Sequence, residues 1–123
     1  MKLAQDQGTA QYRIRAFEPG WIRINQTDYE TSVLLTPHSL STEIRAERLS
    51  ELTLADLQPA IDLEPELILL GTGGEQAFPD RALMRALIGS GIGFEAMDTR
   101  AACRTFNLLL GEDRPVAAVL LLR

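Results

Sequence analysis

The last third of the chain alternates between apolar runs and a helical pattern, and this alternation restricts the possible folds more than any other feature. The apolar run at residues 92–97 stops at Asp98, where the helical pattern of Thr99–Leu110 begins. Gly111 then separates this helix from a second apolar run at residues 116–122. A strand, a helix and a strand in this order predict two parallel strands joined by a right-handed crossover.

A further strand and a further helix precede this unit. Residues 67–70 are apolar at every position, which is typical of a strand covered on both faces. Residues 80–90 show a helical stripe of apolar side chains, with Pro79 at the start and Gly91 after the end. The resulting β-α-β-α-β order, at about residues 66–123, predicts three parallel strands at the buried centre of a sheet.

The first half of the chain carries strand patterns separated by turns. They lie at residues 12–17, 21–25 and 31–36, with a short fourth at residues 43–45. Short connections favour antiparallel pairing, so this part, about residues 10–46, is expected to extend or cover a sheet with helices on one side. A short helix is predicted at residues 54–61, with Thr53 as its N-cap. The whole chain, residues 1–123, is expected to form a single α/β domain.

Composition and charge exclude several classes of protein. Hydrophobic residues make up 46% of the 123 positions and charged residues 24%, which is typical of a globular domain. The net charge of −5 argues against nonspecific nucleic-acid binding and against attachment to an anionic membrane. The N-terminal residues contain no apolar stretch long enough for a signal peptide, and no apolar window is long enough to span a membrane. We therefore expect a cytoplasmic protein without membrane insertion.

The chain has one cysteine, Cys103, and one histidine, His38, so the sequence predicts no disulfide, no metal site and no cofactor. Cys103 lies about one turn into the last helix, near Arg100 and Arg104, and both features lower the pKa of a thiol. No base is identifiable beside it, so a packing role is favoured over a nucleophilic one.

Two loops are expected to meet at the carboxyl edge of the sheet. If residues 67–70 and 92–97 are neighbouring parallel strands, the loops after them lie at the edge where ligands of α/β sheets often bind. Glycine N–H groups, a helix N-terminus and an arginine fork would together suit a small anion. The candidate ligand-binding residues are Gly71, Thr72, Gly73, Asp98, Thr99 and Arg100. The alternative is that the glycines only turn the chain and that Asp98 or Thr99 caps the helix.

The last helix has two distinct faces. A helical wheel places its core face on Ala102, Thr105, Phe106 and Leu109. The opposite face carries Arg100, Arg104 and Asn107. This polar stripe is either solvated surface or a recognition stripe for a partner, and neither interpretation gives it a packing role.

Two segments carry a family resemblance: LLGTG at residues 69–73 and GFEAMDTRAACRTFN at residues 93–107. They resemble an uncharacterised family related to the mitochondrial complex I assembly factor 3 and to the adipogenesis-associated Mth-type domain protein. The resemblance implies one compact domain with three layers, β/β/α, and two main helices. It also implies no established catalytic activity.

Two functions remain open. The favoured hypothesis is a non-catalytic cytoplasmic domain that binds an unidentified protein partner and assists assembly of a larger complex. The alternative is an anion-binding protein or enzyme that uses the edge formed by residues 71–74 and 98–104. A partner-binding domain should expose a mixed or apolar patch, whereas an enzyme should show a concave site with convergent polar groups and shifted pKa values.

Overall fold

The computed structural model describes residues 4–5 and 11–123, and within them the chain forms two sheets and three α-helices in one mixed α/β domain. The strands are β1 Ala4–Gln5, β2 Ile14–Glu18, β3 Trp21–Ile24, β4 Thr27–Tyr29, β5 Val33–Thr36, β6 Ser39–Ser41, β7 Leu67–Thr72, β8 Gly93–Met97 and β9 Val116–Leu121. The helices are α1 Leu54–Asp62, α2 Arg81–Gly89 and α3 Thr99–Leu110. The N-terminal stretch, over which the sequence predicts no signal peptide, lies mostly outside the described residues.

The main sheet has the strand order β1-β6-β5-β9-β7-β8. β7 pairs in parallel with β8 on one side and with β9 on the other, which confirms the parallel β-α-β-α-β half. β9 also pairs antiparallel with β5, and β6 continues the sheet in the antiparallel sense. The smaller sheet, β2-β3-β4, is antiparallel throughout, as the short connections predict.

Alternate residues of the two central strands face two separate cores. Leu67 and Leu69 of β7 belong to the core beneath α3 and the small sheet. Ile68 and Leu70 belong to the core beneath α1 and α2. Every residue of β7 and β9 is buried, so their apolar residues follow one another without alternation. β9 is apolar throughout, and β7 is apolar up to Thr72, its last residue. The three layers are therefore the small sheet, the main sheet and the pair α1 and α2, with α3 beside the small sheet.

The expectation that the helices share one side of the sheet is wrong, and the strand order explains why. The step from β7 through α2 to β8 moves outward to the sheet edge. The step from β8 through α3 to β9 reverses direction and passes back over β7. Because crossovers between parallel strands are right-handed as a rule, opposite directions place the two helices on opposite faces, and α2 and α3 accordingly contribute to different cores.

The third parallel strand does not belong to the buried centre. β8 is an edge strand that begins at Gly93, and its residues are exposed or half-buried. The sequence prediction of a buried strand at residues 92–97 is therefore wrong in its position. Glu95 interrupts the apolar run and is exposed, as a strand with one free edge allows.

The first half differs from its prediction in several strands: the sequence does not predict β1, β4 or β6, and the predicted fourth strand does not form. Residues 43–45 form no ladder, although Ile44 is buried against the second core. The chain instead returns from β5 into β6 through the two-residue turn at Pro37, where the sequence pattern ends the strand. The predicted cap of α1 is confirmed, because Thr53 and Asp56 form a reciprocal capping box.

Within the described part of the chain, no helix is long and apolar enough to cross a bilayer.

The central position of β7 leads to a stability prediction. Leu69 is fully buried, so Leu69→Asp places an unpaired carboxylate in the core and should lower the free energy of unfolding by more than ~3 kcal/mol. The control Phe78→Asp makes the same chemical change at a side chain that is 66% exposed, and it should cost no more than about 0.5 kcal/mol. Urea titration followed by circular dichroism measures both. Equal midpoints for the two variants would contradict the topology.

Candidate functional site

The N-terminus of α3 is fastened to the ends of both central strands. The Thr99 hydroxyl accepts a hydrogen bond from the Gly73 N–H at 2.8 Å and donates one to the Leu121 carbonyl. The Thr99 N–H donates to the Gly73 carbonyl at 2.9 Å. Asp98 is the N-cap, and its carboxylate accepts a hydrogen bond from the Ala101 N–H at 2.9 Å. Thr99 is fully buried, so these bonds form a closed joint rather than an open site.

The glycines of this edge permit a close approach of the backbone. A Cβ atom at Gly71 would lie 2.9 Å from Thr99 Oγ1 and 3.1 Å from Thr99 Cα. Gly73 has a φ of 97°, and a Cβ there would collide with the carbonyl of Arg123. The Thr72 hydroxyl donates to the Glu75 carbonyl at 2.6 Å. The structure thus brings the predicted loops together, and Asp98 caps α3 as the alternative interpretation expects.

Arg100 leaves this edge and reaches the small sheet. Its guanidinium donates to the Phe17 carbonyl at 3.1 Å and lies 5.4 Å from the centre of the Phe17 ring. A second nitrogen lies 3.4 Å from the Glu18 carboxylate, with both side chains about half-exposed. Of the six predicted ligand-binding residues, the arginine is the one whose side chain points elsewhere.

Asn107 holds the other end of β2. Its side-chain amide accepts a hydrogen bond from the Ile14 N–H at 3.0 Å and donates one to the Ile14 carbonyl at 2.8 Å. This two-bond pattern resembles the pairing that a neighbouring strand would supply. The expectation that the polar stripe has no packing role is therefore wrong for Asn107 and Arg100. The helical wheel assumed that α3 is covered on one face only, whereas the small sheet also covers part of the opposite face.

Arg104, unlike Arg100 and Asn107, does not bond to the small sheet in the described part of the chain. It is exposed, and among the described residues it has no ion-pair partner. Leu108, one helical turn further along the same face, is 73% exposed. Arg104 and Leu108 therefore form a mixed polar and apolar patch on α3.

An open groove of about 320 Å³ lies between β2 and α3. Its lining consists of Ile14, Arg15, Ala16, Phe17, Arg100, Cys103, Arg104 and Asn107. The arginines are exposed, whereas Ile14, Phe17 and Cys103 are buried, so a cationic rim surrounds an apolar floor. All three residues of the predicted recognition stripe line this groove.

The floor of the groove contains a protonated thiol. Burial raises the pKa of Cys103 to about 12, and the positive charges of Arg100 and Arg104 only partly offset this rise. Sequence reasoning weighed the helix position and the arginines, but burial is the larger effect. The thiol is therefore a poor nucleophile at neutral pH.

Sequence reasoning missed the contribution of β2. Arg15 and Arg104 line the same groove, although the two residues are far apart in the chain. The available signal was the alternation of apolar and charged residues in β2, which indicates a half-buried strand but not the element that covers it.

A family profile described as "Protein of unknown function (DUF498/DUF598)" matches residues 14–121, which include every residue of the groove. The NADH dehydrogenase (ubiquinone) 1 alpha subcomplex assembly factor 3 of Danio rerio is 30% identical over 124 residues, covering 98% of this chain and 70% of that protein. The "13 kDa major membrane protein" of Francisella tularensis subsp. holarctica is 24% identical over 122 residues, covering 98% of this chain and 99% of that protein.

The fold is also shared with solved structures. A Bordetella pertussis protein described as a Mth938-like domain, solved by NMR, superposes with a TM-score of 0.80 and is 31% identical. The match covers 99% of this chain and 92% of that one. These similarities confirm the resemblance that residues 69–73 and 93–107 indicate.

The two hydrogen bonds between the Asn107 side chain and the Ile14 backbone lead to a second prediction. Asn107→Ala removes both bonds to Ile14 and leaves half-buried backbone groups unpaired, so the free energy of unfolding should fall by about 1–3 kcal/mol. Arg104→Ala is the control on the same helix and should stay within about 0.5 kcal/mol of the parent protein. Denaturant titrations compare the two. If the Asn107 variant is as stable as the Arg104 variant, the two hydrogen bonds to Ile14 contribute nothing to the free energy of unfolding.

The buried thiol of Cys103 leads to a third prediction. In the unfolded chain a thiol ionises near pH ~8.5, well below the folded pKa of Cys103. The stability that comes from the protonated thiol is therefore present below that pH and is lost as the pH rises toward 12. Between pH 8.5 and 10 the loss should be about 1–2 kcal/mol, and Cys103→Ala should lack it. Identical pH profiles of unfolding for the two proteins would contradict the assignment.

Proposed function

This chain belongs to the DUF498/DUF598 family, and on that basis we propose that it is a non-catalytic domain that binds a protein partner and assists assembly of a larger complex. One observation carries the proposal: the chain is similar over 98% of its length to a protein named as an assembly factor. We propose that residues 1–123 act as one Mth-type unit, with antiparallel strands at about 10–46 and the β-α-β-α-β unit at about 66–123.

The proposed partner-binding surface is the outer face of α3. Arg104 and Leu108 are exposed there and have no packing role, and Arg100 and Asn107 position the adjoining strand. A mixed patch beside a shallow groove is the geometry expected of a domain that binds another protein. Arginine is enriched among the residues that dominate binding energy at interfaces, so Arg104 is the residue on which we expect affinity to depend most.

The proposed absence of catalysis follows from the chemistry of the groove. A nucleophilic thiol needs a lowered pKa or an adjacent base. The Cys103 thiol has a raised pKa instead, and the single histidine, His38, lies in the turn between β5 and β6. The groove can therefore hold charged groups, but its residues offer no route to a covalent step.

Binding of a small anion at the glycine edge remains the alternative. It would use Gly71, Thr72, Gly73 and the start of α3, where Asp98 and Thr99 already bond the backbone. An anion would have to replace the Thr99 hydroxyl at the Gly73 N–H, so this function requires local opening of the joint.

We also propose that the protein acts in the cytoplasm, because its net charge of −5 disfavours contact with an anionic membrane surface. The relative from Francisella tularensis is named a membrane protein, and that name describes the location of that protein. Fractionation of host cells with an antibody against this chain distinguishes the two locations.

The partner surface leads to a fourth prediction. In a pull-down from the native host, the double variant Arg104→Ala, Leu108→Ala should fold normally yet recover severalfold less partner than the parent protein, because arginine and exposed apolar side chains often anchor interfaces. The matched control is Arg85→Ala, Ile88→Ala, which removes an exposed arginine and a 71% exposed apolar residue from α2. Quantitative mass spectrometry measures recovery. Equal recovery with the two variants would remove α3 from the proposed function.

A further inference from the structure

We propose that the groove between β2 and α3 binds an acidic segment of a partner protein, whose glutamate or aspartate side chains pair with Arg15 and Arg104. This inference rests on the proposed function, since it assigns the chemistry of the partner that α3 binds. The support comes from the charge of the groove, from the pairing state of its arginines and from the way its walls are fixed.

The groove is positively charged, whereas the chain as a whole carries a net negative charge. The chain carries 17 acidic and 12 basic residues, for a net charge of −5. Yet the described residues that line the groove include three arginines and no carboxylate. A concave cluster of one sign focuses the local potential, so this face attracts anionic groups although the protein as a whole repels them.

Two of the three arginines are available for a ligand. Arg100 already bonds the Phe17 carbonyl and lies beside the Glu18 carboxylate. Arg15 and Arg104 are exposed, and neither has an ion-pair partner in the described part of the chain. A free guanidinium presents a planar fork that matches a carboxylate with two hydrogen bonds. The two arginines therefore suit two carboxylates of one segment.

The floor favours a peptide over a free ion. Ile14, Phe17 and Cys103 present apolar surface between the charged groups, which a small inorganic anion could not use. A peptide can place its own carbon atoms on this surface while its carboxylates reach the rim. The protonated Cys103 thiol adds no negative charge beneath an acidic ligand.

The groove exists before a ligand arrives. Asn107 fixes one end of β2 against α3 through two hydrogen bonds, and Arg100 fixes the other end through the Phe17 carbonyl. Since the spacing between strand and helix is already set, binding requires little ordering of the backbone.

The test uses the purified full chain and a fluorescently labelled peptide of eight residues that alternates glutamate with alanine. Fluorescence polarisation gives the affinity at low ionic strength. We expect saturable binding of this peptide, no binding of the corresponding lysine–alanine peptide, and an affinity about tenfold lower for Arg15→Gln, Arg104→Gln, since each exposed ion pair contributes modestly. The matched control is Arg81→Gln, Arg85→Gln, which removes two exposed arginines from α2 and should leave the affinity unchanged.

Each outcome decides the inference separately from the proposed function. Equal affinities for the two double variants, or tighter binding of the lysine peptide, would overturn the acidic-segment assignment. Complete displacement of the peptide by inorganic phosphate at equal concentration would overturn it in favour of a small-anion site. If the peptide result holds but host pull-downs with Arg15→Gln, Arg104→Gln recover the same partner, the groove binds acidic segments and the proposed function fails at this surface. If the peptide result fails while the pull-down through Arg104 and Leu108 holds, the proposed function survives and this inference falls.

Discussion

The buried hydroxyl of Thr99 is the contact on which the rest of the arrangement depends. It joins the ends of β7 and β9 to the first turn of α3, through Gly73 and the Leu121 carbonyl. Because Gly71 has no side chain, the helix can approach the strand closely enough for these bonds to form. The joint fixes the start of α3, so it also fixes where the outer face of that helix meets β2. A site built on α3 therefore takes its position from a residue that no ligand would touch.

Local patterns in the sequence predicted the three α-helices and the longer strands, but they did not predict which strands are neighbours in the sheet. The bounds of α3 agree with the prediction because Asp98 caps the helix and the chain leaves it at Gly111, and both signals lie within the segment itself. The edge position of β8 could not be predicted, since strand order depends on which partner each strand meets after two crossovers. Glu95 was the local hint, because a charged side chain within an apolar run is easier to accommodate at an edge.

In the candidate site, too, local patterns identified residues but could not show which tertiary contacts those residues make. The stripe Arg100, Arg104 and Asn107 was found from its helical spacing, and all three residues line the groove. Its interpretation as a single surface failed, because Asn107 bonds Ile14, a residue far away in the chain. Arg15 could not be assigned to the site at all without the packing of the small sheet. One helix face thus combines side chains that hold the fold with side chains that remain available, and only tertiary contacts separate the two groups.

The central place of β9 has a consequence for how the chain folds. This strand, Val116–Leu121, lies between β5 from the first half and β7 from the second, and all six of its residues are buried. Without this strand β5 and β7 have no common neighbour, and both cores lose the apolar side chains that it supplies. The main sheet is therefore completed only when this last strand pairs with both neighbours, and pairing between strands so distant in sequence is slow relative to helix formation.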